Sequence, residues 1–315
     1  MRVAILDDYQ GVALASADFS GLTGQAEVVV FRDHLSDEAA VAERLVSFDA
    51  VVAMRERTPF PAGLLDRLPS LRLLVTAGMA NASIDLAAAR ERGVIVAGTG
   101  GSAAATAELI WGLLLAVARR IPAEDASVRA GGWQSSIGPE LAGSTLGIVG
   151  LGRLGQAVAR YARVFDMRLL AWSTNLTAEV AAEHGAELVG KRELFERSDF
   201  VTIHLKLSDR SRGLIGADEL RLLGPRGYLI NTSRGPIVDE AALVAALRDG
   251  TIAGAGLDVF DVEPLPADHP LRTLPNTVLT PHIGFVSEQA YSRIYADAVE
   301  DILAWLGGSP IRVLN

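Results

Sequence analysis

Three polar residues suited to chemistry follow three successive apolar, strand-like segments late in the chain. Arg234 comes just after one such segment, Glu263 lies beyond the next, and His282 follows the third. Parallel strands bring the residues after their carboxyl ends to one side of a sheet, so these side chains are expected to converge. Arginine can hold a carboxylate through paired hydrogen bonds, and histidine beside a carboxylate can exchange protons near neutral pH. The set predicts an acid/base site for an anionic substrate.

A glycine-rich segment upstream predicts a cofactor beside this site. The apolar residues 146–149 run into G-L-G-R-L-G at 150–155 and then into a helical pattern. Gly150 permits a tight turn, Gly152 lets the backbone approach a pyrophosphate, and Gly155 allows close packing of helix on strand. Taken singly, these residues have other interpretations. The glycine turn could be purely structural, Arg234 a surface residue, Glu263 an ordinary loop acid, and His282 a hydrogen-bonded histidine without a catalytic role. Their combination favours a dinucleotide and hydride chemistry.

The strand after the glycine motif lacks the acid that NAD-specific sites place at its end. Residues 168–172 are followed by Ser173, Thr174 and Asn175. A carboxylate there repels the extra phosphate of NADP, so a neutral residue removes that barrier. No arginine follows at once to attract the phosphate. The sequence therefore predicts use of NAD or NADP, with a modest preference for NADP.

Short β-type segments alternate with helical patterns along nearly the whole chain, which predicts an α/β fold with parallel sheets covered on both faces. The first series of predicted strands is 3–6, 28–31, 50–54, 71–76 and 94–97. The second series is 146–149, 168–172, 187–189, 200–204, 228–231, 254–259 and 277–280. Predicted helices include 37–47 behind a Ser36 cap, 84–92, 153–165, 177–184, 217–223 and 239–249. Two longer helices are predicted at 102–121 and 287–306, with an extended tail at 310–314.

This order predicts two Rossmann-like, doubly wound domains, one inserted into the other. Residues 1–98 and 286–315 would form one discontinuous domain, and residues 99–285, which carry the glycine motif, the inserted dinucleotide-binding domain. The chain would cross near residue 100 and return near residue 285. Such crossings are expected to leave a cleft for a ligand.

Composition narrows the class of protein. The 315 residues are half hydrophobic and carry a net charge of −9 without a basic run, which argues against nucleic acid as a partner. Cysteine is absent, and no histidine cluster has metal-ligand spacing, so no metal site is expected. No signal peptide is visible, and the apolar segment 103–118 is too short to span a bilayer. We expect a cytoplasmic protein without a membrane partner.

Four motifs resemble the D-isomer-specific 2-hydroxyacid dehydrogenase family. They are VGLGRLG at 149–155, INTSRGPIVDEAAL at 230–243, GLDVFDVEPLP at 256–266 and LTPHIGF at 279–285. The resemblance is highly specific in these motifs and weaker over nearly all the rest. It implies an NAD(P)-dependent oxidoreductase that moves a hydride between the cofactor and a small 2-ketoacid or D-2-hydroxyacid. It also implies that the dinucleotide-binding domain, 99–285, is inserted into a discontinuous substrate domain, 1–98 and 286–315.

The resemblance also implies roles for particular residues. The family's catalytic arginine, glutamate and histidine match Arg234, Glu263 and His282. In that family the histidine protonates the substrate carbonyl oxygen, the glutamate orients the histidine ring, and the arginine holds the substrate carboxylate. Implied cofactor contacts are Thr106, Gly150, Gly152, Arg153, Leu154, Gly155, Ser173, Thr174, Leu205, Thr232, Ser233, Asp258 and Gly284. Implied substrate contacts are Arg55, Ala77, Gly78 and Met79, together with Arg234. Residues 129–133 resemble an arm that forms homodimers, with Trp133 buried against the partner.

Some positions depart from the family pattern. The substrate loop, 78–85, differs from its usual sequence, Lys206 replaces a common proline, Ser102 a frequent asparagine, and Phe285 a small residue. These changes leave the identity of the substrate open. His34, His184 and His269 show no recognisable partner, and His204 is expected to have a structural or cofactor-rim role.

Two other functions remain as alternatives. Formate dehydrogenases of the superfamily carry glutamine where Glu263 stands, whereas phosphite or another non-hydroxyacid substrate is harder to exclude. A nucleotide-sensing, corepressor-like interaction protein would bind regulators through added surfaces or tails, and this chain has neither at length. Turnover of ketoacids would separate these functions.

Overall fold

The chain forms two compact units in a computed structural model that describes residues 1–315. The first unit comprises residues 1–102 and 286–315, and the second unit comprises residues 103–285. The first boundary lies four residues beyond the predicted one, because the connection after Gly98 is bonded within the first unit. Thr99 accepts a hydrogen bond from the Gly78 amide, and the Gly100 amide donates to Asp297.

The first unit contains a five-stranded parallel sheet in the order β2-β1-β3-β4-β5. Its strands are β1 (Arg2–Ile5), β2 (Glu27–Val30), β3 (Ala50–Ala53), β4 (Leu73–Thr76) and β5 (Ile95–Gly98). Its helices are α1 (Ala13–Ser16), α2 (Glu38–Leu45), α3 (Ala62–Asp66) and α4 (Leu86–Glu91), and the returning chain adds α12 (Glu288–Leu306). The tail then runs antiparallel beside β5 through a bridge between Ala97 and Val313.

The second unit contains a seven-stranded parallel sheet in the order β12-β11-β10-β9-β6-β7-β8. Its strands are β6 (Thr145–Val149), β7 (Arg168–Trp172), β8 (Glu187–Leu188), β9 (Phe200–Ile203), β10 (Tyr228–Asn231), β11 (Gly254–Leu257) and β12 (Thr277–Leu279). Its helices are α5 (Ala103–Ala118), α6 (Ile121–Arg129), α7 (Arg153–Val164), α8 (Ala178–Glu183), α9 (Lys191–Arg197), α10 (Ala217–Leu223) and α11 (Glu240–Arg248). The prediction of two doubly wound parallel sheets is confirmed.

Apolar strands are buried on both faces because helices cover both sides of each sheet. Every residue of β3, β4, β9 and β11 is buried. This explains why these segments are continuous apolar runs rather than alternating ones. The carboxyl end of each strand is therefore where polar side chains emerge from the core.

Two local predictions were wrong. The cap of α2 is Asp37 and not Ser36, since the Asp37 carboxylate accepts the Ala40 amide at 2.8 Å. The helix predicted at 102–121 is two helices, because Arg120 adopts a left-handed conformation and α6 begins anew with Pro122 in its first turn. A left-handed residue breaks the helical repeat, and proline favours the first turn of a helix. No helix in the structure is long and apolar enough to cross a membrane.

Candidate active site

His282 and Glu263 form a hydrogen-bonded pair in the second unit. His282 Nδ1 lies 2.6 Å from Glu263 Oε2, and the other carboxylate oxygen accepts the Phe260 amide at 2.9 Å. The Phe285 ring packs edge-on to the imidazole, with centroids 5.8 Å apart. Glu263 and Phe285 therefore restrict ring rotation, and the bond at Nδ1 leaves Nε2 as the nitrogen for proton exchange with a ligand.

The backbone of His282 is held in an unusual conformation by Asp258. His282 has a φ of 53°, in the left-handed region that non-glycine residues seldom adopt. Asp258 Oδ1 accepts hydrogen bonds from Thr280 Oγ1 (2.6 Å) and the Ile283 amide (2.8 Å), and Oδ2 accepts the Gly284 amide (2.8 Å). One fully buried carboxylate thus fastens the loop on both sides of His282. Burial raises the pKa of Asp258, and these three hydrogen bonds oppose that rise.

Arg234 stands on a turn that Asn231 braces. Asn231, the last residue of β10, is buried; its Nδ2 donates to Arg234 O and its Oδ1 accepts the Ser233 amide, both at 3.0 Å. The Arg234 side chain is half-buried, and its Nη1 donates to Ser233 O at 2.6 Å. Asn231 thereby fixes the direction in which the guanidinium leaves the strand.

Close packing joins the Arg234 turn to the segment that carries Glu263. A Cβ on Gly235 would collide with the carbonyl group of Phe260 and the amide of Asp261, so only glycine fits there. Phe260 in turn donates its amide to Glu263. The arginine turn, the glutamate and the histidine are therefore parts of one interlocked edge of the second sheet.

The glycine turn after β6 has the features that a pyrophosphate requires. Gly150 has a φ of 101°, and a Cβ there would meet His204 O and Leu205 Cδ2 at 2.8 Å. Gly155 packs directly on the Gly150 carbonyl, whereas nothing lies within 4 Å of a Cβ on Gly152. Gly152 caps α7 without a side-chain hydrogen bond, so the helix start keeps its N–H groups for an anion.

Two buried polar atoms at the same edge have no protein partner. They are Thr232 Oγ1 and His204 Nδ1. His204 Nε2 lies 3.1 Å from Thr202 Oγ1, and burial lowers the pKa of His204 to about 3, which makes its ring neutral at physiological pH. Buried polar atoms without partners are rare, and a bound ligand is one way to satisfy them. These atoms and the open glycine turn fit a dinucleotide.

The remaining predicted cofactor residues lie around this edge. Ser233 Oγ donates to Leu205 O at 3.0 Å, which ties the turn after β10 to the loop after β9. Gly284 sits between Thr106 and Asp258, so close that a Cβ would meet Asp258 Oδ2 at 3.1 Å. Ser173 is half-buried at the end of β7. The exposed residues nearby are Arg153 and Thr174, and Leu154 is half-buried in the first turn of α7.

In the first unit, the predicted substrate residues occupy adjacent loops. Arg55 has a φ of 55° and its Nη1 donates to Ala77 O at 3.3 Å, over the backbone of Gly78. The buried Asn81 donates to Arg55 O and Thr76 Oγ1 and supports that conformation. The amides of Ala77 and Gly78 are bonded to Ala53 O and Thr99 Oγ1. The amide of Met79, the next residue of this loop, makes no such hydrogen bond.

Two histidines do have carboxylate partners, contrary to the prediction. His34 Nδ1 lies 2.9 Å from Asp7 Oδ1, and His269 Nε2 lies 3.0 Å from Glu240 Oε1. Both partners are far away in sequence, so no local pattern revealed them. No group of three or more His, Asp or Glu side chains is arranged to hold a metal ion.

Comparison with known proteins identifies the family. Residues 111–284 match the model of the D-isomer specific 2-hydroxyacid dehydrogenase NAD binding domain. The chain belongs to the D-isomer-specific 2-hydroxyacid dehydrogenase family. It is 39% identical to a glyoxylate reductase of Korarchaeum cryptofilum over 87% of this chain and 85% of that protein.

Two further relatives support membership of this dehydrogenase family. A D-3-phosphoglycerate dehydrogenase of Methanocaldococcus jannaschii is 38% identical over 80% of this chain and 49% of its own length. The crystal structure of a phosphoglycerate oxidoreductase from Vibrio cholerae is 36% identical, with a TM-score of 0.93 over 98% of this chain and all of that one. The predicted activity class is confirmed: the protein is an NAD(P)-dependent D-2-hydroxyacid dehydrogenase that acts on a small hydroxyacid or ketoacid.

The supports of the dehydrogenase site were missed in the sequence. Three residues, Asn231, Gly235 and Thr280, hold the candidate residues in place. None of the three was among the predicted cofactor or substrate contacts. Polar residues at the ends of β10 and β12 were the available signal. The partners of Gly235 and Thr280 could not be read from the sequence because they lie more than 20 residues away, beyond β11, whereas Asn231 bonds within its own turn.

Proposed function

We propose that this enzyme reduces a small 2-ketoacid with His282 as the proton donor and Glu263 as its orienting partner. The observation that carries the proposal is the 2.6 Å bond between His282 Nδ1 and Glu263 Oε2 on a loop fastened by Asp258. Bound NAD(P)H supplies the hydride. His282 Nε2 donates a proton to the substrate carbonyl oxygen and recovers one in the reverse direction.

Arg234 is the proposed carboxylate clamp. Its guanidinium can bind a planar carboxylate through two hydrogen bonds and polarise the adjacent carbonyl. The brace from Asn231 favours this role, because a fixed turn costs less ordering when the substrate binds. In the first unit, Arg55 and the amide of Met79 are the proposed donors to the substrate, with Ala77 and Gly78 shaping the loop.

A turnover assay tests this proposal. Glyoxylate, hydroxypyruvate and pyruvate are offered with NADH and with NADPH, and loss of the reduced cofactor is followed by absorbance. We expect reduction of at least one ketoacid. Oxidation of phosphite without any ketoacid reduction would replace the proposed substrate class, and nucleotide binding without turnover of any substrate would favour a sensing role.

The contribution of Glu263 is tested by the rate of the same reaction. Glu263→Gln removes the carboxylate that holds His282 Nδ1, so kcat for ketoacid reduction should fall while nucleotide binding is retained. Glu240→Gln, which alters the His269 pair instead, is the matched control and should leave kcat unchanged. Equal kcat values for wild type and Glu263→Gln would contradict the role of Glu263.

For the cofactor, we propose that both NADH and NADPH are used, with a modest preference for NADPH. The neutral Ser173 at the end of β7 supports this, because no carboxylate repels the 2′-phosphate. We also propose a cytoplasmic location. Comparison of kcat/KM for the two cofactors measures the preference.

For the assembly, we propose a homodimer. Trp133 is 74% exposed in the single chain, and α6 buries none of its residues. A shallow apolar pocket of about 360 Å³ on the same unit is lined by Glu108, Trp111, Gly112, Tyr161, Val164 and Phe165. Exposed aromatic side chains and apolar pockets are typical of interfaces. Sedimentation at micromolar concentration should give a dimer, and a monomeric wild type would contradict the proposal.

A further inference from the structure

Of the cations near the cofactor edge of the second unit, Lys191 and Arg192 are already neutralised, whereas Lys206 and Arg153 are not. Lys191 Nζ is bonded to Glu219 Oε1 at 2.7 Å and to Leu214 O at 3.2 Å. Arg192 is paired with Glu196 at 2.7 Å. Lys206 is exposed and its ammonium group has no hydrogen-bond or ion-pair partner. Its charge is therefore available to a ligand.

The loop that carries Lys206 forms a wall of the glycine turn. β9 lies beside β6 on the side opposite β7, so the loops after β9 and β7 flank the turn after β6. Leu205, one residue before Lys206, touches the space beside Gly150. Lys206 O accepts Ser211 Oγ at 2.7 Å, and Leu205 O accepts Ser233 Oγ. The backbone at this position is therefore fixed beside the glycine turn.

The distance across the turn suits a lysine. Neighbouring strands are about 4.8 Å apart, so the ends of β9 and β7 are separated by roughly 10 Å. A flexible four-carbon stem can bridge much of that gap. Ser173 and Thr174 at the end of β7 provide hydroxyl groups without charge, and they leave the 2′-phosphate of NADPH in need of a cation.

We infer that Lys206 supplies the positive charge that binds the 2′-phosphate of NADPH and so sets the preference between the two cofactors. This inference rests on the proposed dinucleotide site. Arg153 is also exposed, but it lies in the first turn of α7, where the pyrophosphate is expected. Because both cofactors contain the pyrophosphate, Arg153 stabilises both and Lys206 discriminates.

The experiment measures binding rather than turnover. NADPH and NADH are titrated into the full-length protein by nucleotide fluorescence, and 2′,5′-ADP and 5′-ADP are used as competitors that lack the nicotinamide. Lys206→Gln should weaken NADPH and 2′,5′-ADP about tenfold, which corresponds to about 1.4 kcal/mol, with NADH and 5′-ADP within about twofold. Arg192→Gln removes an equal charge from a paired site and should change none of the four.

Ser173→Asp provides the second arm. In the otherwise wild-type chain, it should raise the ratio of the Kd for NADPH to the Kd for NADH by at least about tenfold. In the Lys206→Gln background the shift should differ, because two groups that face the same phosphate are not additive. Full additivity would overturn the inference.

Other results would also overturn it. Equal weakening of NADPH and NADH by Lys206→Gln would place Lys206 at a group common to both nucleotides, and unchanged NADPH binding would assign the charge to another residue. Failure of the wild type to bind either nucleotide would instead reject the proposed dinucleotide site. That outcome is distinguishable because it precedes any effect of the variant.

Discussion

The first strands of the two units, β1 and β6, lead into helices whose N-termini are treated in opposite ways. After β1, the Asp8 carboxylate accepts the amides of Val12 and Ala13 at 3.0 and 3.1 Å, where α1 begins. After β6, Gly152 begins α7 with no side chain at the cap. The first unit thus supplies its own anion, and the second leaves the position open.

This difference explains why two units with the same architecture are not equally suited to bind a nucleotide. The N–H groups at the start of a helix carry partial positive charge and require an acceptor. In the first unit Asp8 is buried and occupies that position. In the second unit an external pyrophosphate can take it. The choice between Asp and Gly at equivalent turns therefore separates a unit whose helix start is already occupied from one that can receive a pyrophosphate.

One histidine–carboxylate pair of the first unit, His34 with Asp7, differs in the same sense from the pair of His282 and Glu263 in the second unit. Asp7 is 2% exposed, and its oxygens are taken by His34 and by Thr58 Oγ1 at 2.7 Å. The Glu263 side chain is 28% exposed, and His282 stands on a loop that Asp258 fastens. The two imidazoles are about equally exposed, at 13% for His34 and 12% for His282, so the difference lies in the carboxylate and the loop. Asp7 is closed off inside the first unit, whereas Glu263 is partly open and His282 lies on a braced loop, which suits proton exchange.

The largest expected effect tests whether His282, and not His34, is the general acid. His282→Ala removes general acid catalysis and should lower kcat for ketoacid reduction by about 10²–10⁴, with cofactor binding retained. His34→Ala is the matched control and should keep most of the turnover per folded molecule. Steady-state kinetics and a nucleotide titration measure both. Near-normal turnover of His282→Ala would refute the assignment.

The next largest effect is expected when α7 is given an acidic cap like the one that Asp8 provides at α1. Gly152→Asp fits without backbone strain, since its φ is −79° and nothing lies within 4 Å of a Cβ. Its carboxylate would cap α7 and repel the pyrophosphate, so both NADH and NADPH should bind at least about tenfold more weakly. Gly152→Asn, of equal size and no charge, should lose less. Unaltered affinity in Gly152→Asp would show that α7 does not face the pyrophosphate.

A smaller effect concerns the cap in the first unit. Asp8→Ala leaves the amides of Val12 and Ala13 without their acceptor, which should lower the free energy of unfolding by about 1 kcal/mol. Chemical denaturation measures this loss, and cofactor affinity measured in parallel should stay constant. A weaker affinity for NADPH in Asp8→Ala would mean that the first unit also contributes to the nucleotide site.

The last effect is a pH dependence of stability in the first unit. Asp301 is buried, bonds Arg312 Nε through Oδ1 at 2.9 Å, and has an unpartnered Oδ2. Burial raises the pKa of Asp301 from 3.8 to about 7. The folded state then binds the proton more tightly than the unfolded state, so this contribution is full at low pH and is lost as pH rises from about 4 to about 7.

Asp301→Asn tests that dependence. Asparagine keeps an acceptor for Arg312 but cannot ionise, so Tm should fall less between about pH 4 and about pH 7 than in the wild type. Asp66→Asn, which removes an exposed carboxylate paired with Arg92, is the control. Parallel Tm curves for wild type and Asp301→Asn would reject the role of Asp301.

Features set by neighbouring residues were predictable from the sequence. The ends of β7, β10 and α10 lie where predicted, and the glycine turn after β6 has the expected geometry. Hydrophobic runs and glycine positions carry this information within short windows. The positions of Arg234, Glu263 and His282 after successive strands follow from the same patterns.

Features that depend on distant partners were not predictable. Gly235 must be glycine because the Phe260 backbone approaches it, and nothing in the sequence indicated that the carboxylate of Asp258 holds the His282 loop. The partner of His34 is Asp7, in the loop after β1 and far from His34 in the sequence. Such contacts arise only when strands are brought side by side, so no local window contains them.

The Asp258 contacts also affect how the backbone exchanges hydrogen with solvent. The amides of Ile283 and Gly284 both end on this one carboxylate, so their protection depends on its ionisation. As pH falls toward the raised pKa of Asp258, the carboxyl group gains a proton and becomes a weaker acceptor. Deuterium uptake at these two amides should then accelerate beyond its intrinsic rate. Two backbone signals would thus report, in solution and without substrate, whether His282 is held in its left-handed conformation.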